Sequence, residues 1–126
     1  MNCLVLLTGN SLASSSQDSK IKIWNTVTGN ILQTLNGHTS GVRSLALLSE
    51  NTLASASDDT TIKIWETVSG NLLKTLNGHT DWVYSLAVIS VNKLASASFD
   101  KKIKILDTAT GNVLKTLKGH TDWSFI

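Results

Sequence analysis

Residues 37–66 read GHTSGVRSLALLSENTLASASDDTTIKIWE, and residues 78–107 read GHTDWVYSLAVISVNKLASASFDKKIKILD. The two stretches agree at most positions and start 41 residues apart, and a third GHT begins at Gly119, again 41 residues on. The segments IKIW at Ile21 and Ile62, IKIL at Ile103, and LAS at Leu12, Leu53 and Leu94 keep the same step. Self-similarity at one fixed period of this length marks a repeat array. The units run over 1–41, 42–82 and 83–123, and 124–126 open a further strand.

Within a unit the periodicity is that of strands. VYSLAVI and LASAS are short runs of apolar and small residues, IKIW alternates, and NLLKTL resumes apolar character after a turn. Turn signals separate the four runs: SEN or SVN, then Asp with polar neighbours, then TVTGN, TVSGN or TATGN, where Gly supplies a positive φ and Asn tolerates one. Connections this short predict an antiparallel meander of four strands per unit. No segment carries a sustained 3.6-residue period, so the fold class is all-β.

The totals set outer limits. A length of 126 residues suits one ordinary domain, and 41% hydrophobic against 16% charged residues describes a globular chain. The apolar run near Met1 has no preceding basic residue and no small-residue cleavage site, so no signal peptide is expected. Nothing is long enough to span a bilayer as a helix. The single cysteine, Cys3, fits a reducing compartment, which makes a cytoplasmic location the expectation, with the nucleus as the other option. A net charge of +2 is too small to argue for nucleic acid or an anionic membrane as partner.

A four-stranded repeat of about forty residues with Gly-His near one end and Trp-Asp near the other resembles the WD-repeat β-propeller family. The resemblance covers nearly the whole chain and implies three four-stranded antiparallel blades, each pinned by a polar tetrad of His, Ser, Asp and Trp. Carried over by position, the second unit has all four members, His38, Ser55, Asp59 and Trp65. The first has Ser14, Asp18 and Trp24 without its own His, and the third has His79, Ser96 and Asp100 with Leu106 in place of Trp. The Asp that follows the Trp in the family motif is diluted to Asn25 and Glu66 and survives as Asp107.

A tetrad explains these residues better than catalysis does. His38, Ser55 and Asp59 are the residue types of a hydrolase triad, but the set recurs in part in the third unit and no nucleophile elbow accompanies it. His38, His79 and His120 stand on separate units without neighbouring Cys or His, which argues against a metal site. The Ser-rich run LASSS reads as close-packed small residues rather than a phosphate site. No enzyme activity, cofactor or metal is therefore expected.

Propellers have four to eight blades, so three form an incomplete ring. The ring would be completed within a longer chain, or by self-association into a dimer of six blades or a trimer of nine, with His120 of one copy joining Ser14, Asp18 and Trp24 of another. The resemblance also places partner contacts on the face carrying the tetrad Asp turn. Those positions hold Gly41, Arg43 and Asp58 in the second unit and Trp82, Tyr84 and Phe99 in the third, with Asn2 and Gln17 in the first and Trp123 and Phe125 at the end. Clustered aromatics favour an interface, and Lys101 and Lys102 in the same turn add a basic rim suited to an acidic peptide. The expected function is a non-catalytic protein-interaction scaffold working through the aromatic face of the third unit. The alternative is a nucleic-acid or small-ligand (sugar) module using the same patch.

Overall fold

The computed structural model describes residues 3–118. Twelve strands follow one another: β1 (Cys3–Leu6), β2 (Ser11–Ser15), β3 (Ile21–Asn25), β4 (Ile31–Leu35), β5 (Val42–Ser49), β6 (Thr52–Ser57), β7 (Ile62–Glu66), β8 (Leu72–Leu76), β9 (Val83–Ser90), β10 (Lys93–Ser98), β11 (Ile103–Asp107) and β12 (Val113–Leu117). They pair only with their sequence neighbours, giving three four-stranded antiparallel sheets and no helix among the described residues. Each sheet is one propeller blade, and the three form an open arc with β1, β5 and β9 side by side along one edge.

Alternation along each strand explains the packing. In β6 (TLASAS), Leu53 and Ser55 point to one face and Ala54 and Ala56 to the other, and all four are fully buried because both faces are covered. The face toward the preceding blade is called the front and the other the rear. Blade one turns Ala13, Ile21, Ile23 and Leu35 rearward onto Val42, Leu45, Leu53 and Trp65 of blade two. Blade two turns Ala54, Ile62, Ile64 and Leu76 onto Val83, Leu94 and Leu106 of blade three, with Leu86 packed alongside. The alanines keep the sheets close, and the β-branched and Leu side chains fill the gap between them.

Turn chemistry repeats as well. Gly29, Gly70 and Gly111 take φ of 77°, 77° and 81°, as the TGN and SGN signals require. The following Asn30, Asn71 and Asn112 are not in the left-handed region; the Asn that takes it is Asn92 of the SVN turn, at φ 64°. The Gly already reverses the chain, so a second positive φ beside it is not needed. The turn after the second strand of each blade instead forces left-handed backbone on Ser19, Thr60 and Lys101, at 73°, 75° and 70°. None of these residue types prefers that region, and nothing in their identities announces it. In the second blade the strain is held by two bonds, Thr60 N–H to Ser57 O and Ser57 N–H to Thr61 O, each 3.2 Å.

The residue at the motif Asp position, the last of the third strand in each blade, organises the next turn. Asn25 Oδ1 accepts the N–H groups of Val27 and Thr28, Glu66 accepts those of Val68 and Ser69, and Asp107 Oδ1 accepts those of Ala109 and Thr110. Three different side chains thus do one job, because each carries an oxygen that reaches two or three residues ahead.

Candidate functional site

Blade two joins its four tetrad residues into one chain of hydrogen bonds. Trp65 Nε1–H donates to Ser55 Oγ at 2.8 Å, and Ser55 Oγ lies 2.6 Å from His38 Nε2. His38 Nδ1 lies 2.8 Å from Asp59 Oδ2. A carboxylate only accepts, so His38 Nδ1 carries a proton and donates to Asp59, and Ser55 Oγ also lies 3.4 Å from Lys63 O. Asp59 also accepts Thr39 N–H at Oδ2, and the Thr61 N–H and hydroxyl at Oδ1. Burial works to raise its pKa, but the bonds from His38 and Thr61 outweigh that and hold the carboxyl well below the usual range.

The chain locks loops as much as strands. The segment 36–41 runs from β4 to β5, so His38 ties the exit of blade one to the body of blade two. Gly37 precedes it because a Cβ there would stand 3.0 Å from Trp65 Cη2. Ser57 adds a second tie that residue-type reasoning passed over: its hydroxyl donates to Ser40 O at 3.2 Å and accepts Asp59 N–H at 3.1 Å. Ser98 does the same with Asp81 O and Asp100 N–H, and the recurrence of Ser at 16, 57 and 98 was the available signal.

Blade three keeps His79 Nδ1 to Asp100 Oδ2 at 2.8 Å and His79 Nε2 to Ser96 Oγ at 2.7 Å, while Leu106 is buried where the indole would lie. Burial pushes the His79 pKa down, partly offset by the bond to Asp100. The Asp100 carboxyl is pushed up by burial but is held low on balance, with the His79 bond the largest counterweight. Lys102 stands where blade two has Thr61, so Asp100 receives the Lys102 backbone N–H at 3.0 Å but no hydroxyl. In blade one Trp24 Nε1–H donates to Ser14 Oγ at 2.9 Å, and Asp18, which is exposed, accepts Lys20 N–H at 3.1 Å. His120 lies outside the described residues.

The Ser55 hydroxyl is fully buried and bonded to both an indole and an imidazole. Among the described residues no three His, Cys, Asp or Glu side chains are grouped to hold a metal ion.

The second grouping is aromatic. Phe99 stacks obliquely on Trp82, ring centroids 5.3 Å apart and planes at 31°, and on Tyr84 at 4.9 Å and 54°. Trp82 is 41% exposed, and Tyr84 and Phe99 are half-buried. The Arg43 guanidinium sits 4.8 Å from the centre of the Trp82 ring and reaches from blade two to blade three. The same guanidinium grips Asp58 through Nε at 2.8 Å and Nη2 at 3.1 Å. Asp58 is thereby neutralised and its side chain is only 7% exposed, so it orients Arg43 rather than offering a free charge. Gly41 is buried beneath Gln17, whose amide oxygen a Cβ would strike. Lys101 is exposed and Lys102 half-buried beside the cluster in sequence. Asn2, Trp123 and Phe125 lie outside the described residues.

Two backbone bonds show why these side chains converge. Phe99 N–H donates to Trp82 O, and Asp58 N–H donates to Gly41 O, both at 2.9 Å. The position before each tetrad Asp is therefore clamped to the loop before the blade's first strand. Residue types at the two positions are free to vary while their proximity is fixed.

Comparison with known proteins agrees with this geometry. The family "WD domain, G-beta repeat" matches three times, over residues 2–25, 29–66 and 70–107. Over 37 residues the chain is 54% identical to nuclear distribution protein PAC1 of Arthroderma benhamiae, a match covering 29% of this chain and 8% of that protein. Over 40 residues it is 48% identical to nuclear distribution protein PAC1-2 of Uncinocarpus reesii, covering 32% and 9%. The chain thus spans less than a tenth of the length of these relatives in the matched region. Among solved structures it is similar to U3-55K, with TM-score 0.90 and 32% identity over 97% of this chain and 40% of that one. The WD40 β-propeller domain of Doa1 gives 0.83 and 34% over 95% and 40%, and the computationally designed Ika8 protein gives 0.86 and 33% over 95% and 37%. With the three repeat matches covering most of its length, three sheets in meander order and the His-Ser-Asp networks in two of them, the chain belongs to the WD-repeat β-propeller family.

Proposed function

We propose that this chain is a non-catalytic interaction scaffold whose contact surface is the Trp82, Tyr84 and Phe99 cluster of blade three, with Arg43 beside it. The observation that carries the reading is the exposed Trp82 ring, held between Phe99 and the Arg43 guanidinium. A stacked and charge-braced indole loses little conformational freedom on binding, which makes it an effective anchor. Fixed aromatics beside Arg are the composition of interface hot spots.

The partner is a protein or peptide segment that presents an apolar side chain to the indole and acidic residues to Arg43, Lys101 and Lys102. WD repeats generally serve as interaction modules, and the fold of the solved neighbours is the same. Location, in cytoplasm or nucleus, follows from this reading only as an expectation. No helix among the described residues is long and apolar enough to cross a membrane.

The test is selection of binders from a displayed library of acidic peptides on the immobilised chain, followed by titration against Trp82→Ala with Phe99→Ala. Loss of about tenfold or more in affinity supports the surface, since a hot-spot truncation costs ~2 kcal/mol or more. Unchanged affinity in the double variant, or tight oligonucleotide binding with a steep salt dependence lost in that variant, would overturn the protein-partner reading.

A further inference from the structure

The loops that deliver His38 and His79 are built on one hexapeptide: residues 34–39 and 75–80 both read TLNGHT. Asn36 and Asn77 are the asparagines of the chain that precede a glycine. In each loop the Leu before Asn and the His after Gly are buried, Leu35 and His38 at 1% and 6% exposure, Leu76 and His79 at 3% and 8%. Asn and Gly form an exposed bridge between those anchors. Among the described residues no hydrogen bond engages the Asn36 or Asn77 side-chain amide, or the Gly37 or Gly78 N–H. An Asn side-chain carbonyl and the next backbone nitrogen are held within reach of each other by the chain itself, and Gly has no Cβ to hinder their approach.

The surroundings of the two bridges differ although their sequences do not. A Cβ on Gly37 would stand 3.0 Å from Trp65 Cη2, so the indole crowds that glycine, and the nearby Lys63 has its Nζ held by Thr75 Oγ1 at 3.1 Å. With Leu106 in place of the indole, the first atom a Cβ on Gly78 would meet is Val113 Cγ2, at 3.5 Å. Lys104 Nζ would lie 3.7 Å from the same point, and it makes no hydrogen bond among the described residues. An ammonium group at that place stabilises negative charge developing on the Gly78 nitrogen or the Asn77 carbonyl oxygen.

We propose that Asn77, and more slowly Asn36, are sites of spontaneous deamidation that loosens the tetrad histidine two residues on. Loss of the Gly78 N–H proton to hydroxide lets that nitrogen attack Asn77 Cγ. The new C–N bond closes a succinimide ring, the Cγ–Nδ2 bond breaks, and the departing nitrogen takes up a proton and leaves as ammonia. Water then opens the ring. Addition at Cγ leaves aspartate in an unaltered main chain, whereas addition at the main-chain carbonyl leaves isoaspartate, with the chain running through Cβ and Cγ. The second product inserts one backbone atom, ~1.5 Å of chain, between the buried Leu76 and His79. It displaces His79 from Ser96 Oγ and Asp100 Oδ2, to which it is bonded at 2.7 and 2.8 Å.

Peptide mapping by mass spectrometry tests this on the purified chain, kept at physiological temperature and mildly alkaline pH. Amide should convert to acid first at residue 77 and then at residue 36, at a rate that rises with hydroxide, while the other asparagines stay intact. In urea the two identical hexapeptides should react at equal rates. Gly78→Ala, whose methyl group meets Val113 at an ordinary contact distance, should slow residue 77 about tenfold, and Lys104→Gln about threefold, with residue 36 unchanged in both. The isoaspartyl form, separated by ion exchange, should melt below Asn77→Asp, because both carry the new charge and only the first carries the extra backbone atom. Amides retained in the folded chain while the unfolded chain converts, residue 36 converting ahead of residue 77, unchanged rates in both variants, or an isoaspartyl form as stable as Asn77→Asp would overturn the proposal. None of these variants touches Trp82, Tyr84, Phe99 or Arg43, so failure here is distinguishable from failure of the scaffold reading.

Discussion

Replacing Leu106 with Trp should stabilise blade three, and the structure allows the size of the effect to be worked out. Ser96 Oγ is fully buried and bonded to His79, but it lacks the indole donor that Ser55 receives from Trp65. Restoring that bond is worth ~1 kcal/mol net. The larger ring would also bury roughly 40–60 Å² more apolar surface than Leu, or ~1–1.5 kcal/mol. The room is not entirely free. A Cβ on Gly78 would meet Val113 Cγ2 at 3.5 Å, whereas the corresponding atom on Gly37 would meet the Trp65 ring, so Val113 partly occupies the space the indole left. Val113 is 39% exposed on a strand at the sheet edge and can give way, at a repacking cost of about 1 kcal/mol. The net expectation is a gain of ~1 kcal/mol and a rise in Tm of ~4 °C at fixed protein concentration. Calorimetry on Leu106→Trp, Leu106→Phe and Leu106→Trp with Ser96→Ala separates the terms. If the bond matters, Phe recovers less than Trp, and Ser96→Ala removes most of the difference. An unchanged or lower Tm for Leu106→Trp would show that blade three has repacked around Leu, and the reasoning would fail.

Acid should destabilise the chain in two stages. The folded-state pKa of His79 is lowered, so its contribution is complete above the unfolded value of 6.5 and is lost as pH falls below it. Asp59 and Asp100 are lowered from 3.8, so theirs is complete above that value and is lost progressively as pH falls through and below it. Urea midpoints should therefore decline from neutral pH into the acid range, and Asp59→Asn should flatten the lower stage; a midpoint that is constant or rises on acidification contradicts this. Ser15→Ala should raise the urea midpoint by ~1 kcal/mol equivalent, because its fully buried hydroxyl has no partner among the described residues and the matching Ala56 and Ala97 need none. A lower midpoint would mean that the hydroxyl is bonded after all.

The period of 41 and the strand alternation made the meander legible, because a repeated unit exposes its own turns by comparison. The tetrad positions were read through the family resemblance; hydrogen bonds join His38, Ser55, Asp59 and Trp65 in blade two and His79, Ser96 and Asp100 in blade three. Other features were not legible. The left-handed backbone at Thr60 and Lys101 carries no residue signature, since hydrogen bonds rather than side-chain preference hold it. Asp58 reads as a free surface charge until the bidentate Arg43 contact appears, and its position in the chain says nothing of that pairing. Lys102 reads as a simple rim charge, yet its backbone N–H holds Asp100 in the place where Thr61 brings both N–H and hydroxyl to Asp59.

The tetrad and the aromatic cluster are two outcomes of one mechanical arrangement. Asp100 is fixed by His79 and by the N–H groups of Thr80 and Lys102, and the preceding residue of that turn is Phe99. Ser98 ties the same turn to Asp81 O, next to Trp82, and Phe99 N–H closes the link to Trp82 O. Side chains one residue away from buried, fully bonded groups inherit their positional precision without sharing their chemical constraints. In blade two the same frame holds a buried Gly41 and the Asp58 that grips Arg43, and in blade three it holds Trp82 and Phe99, so the side chains at the two positions change from small and acidic to aromatic while the backbone bonds stay the same. Leu106 fits that division: losing the indole shortens the buried network at its Ser96 end, yet the His79–Asp100 end that holds the Phe99 turn is intact at 2.8 Å. Blade three can therefore be weakened in its core without loosening the surface proposed to meet a partner.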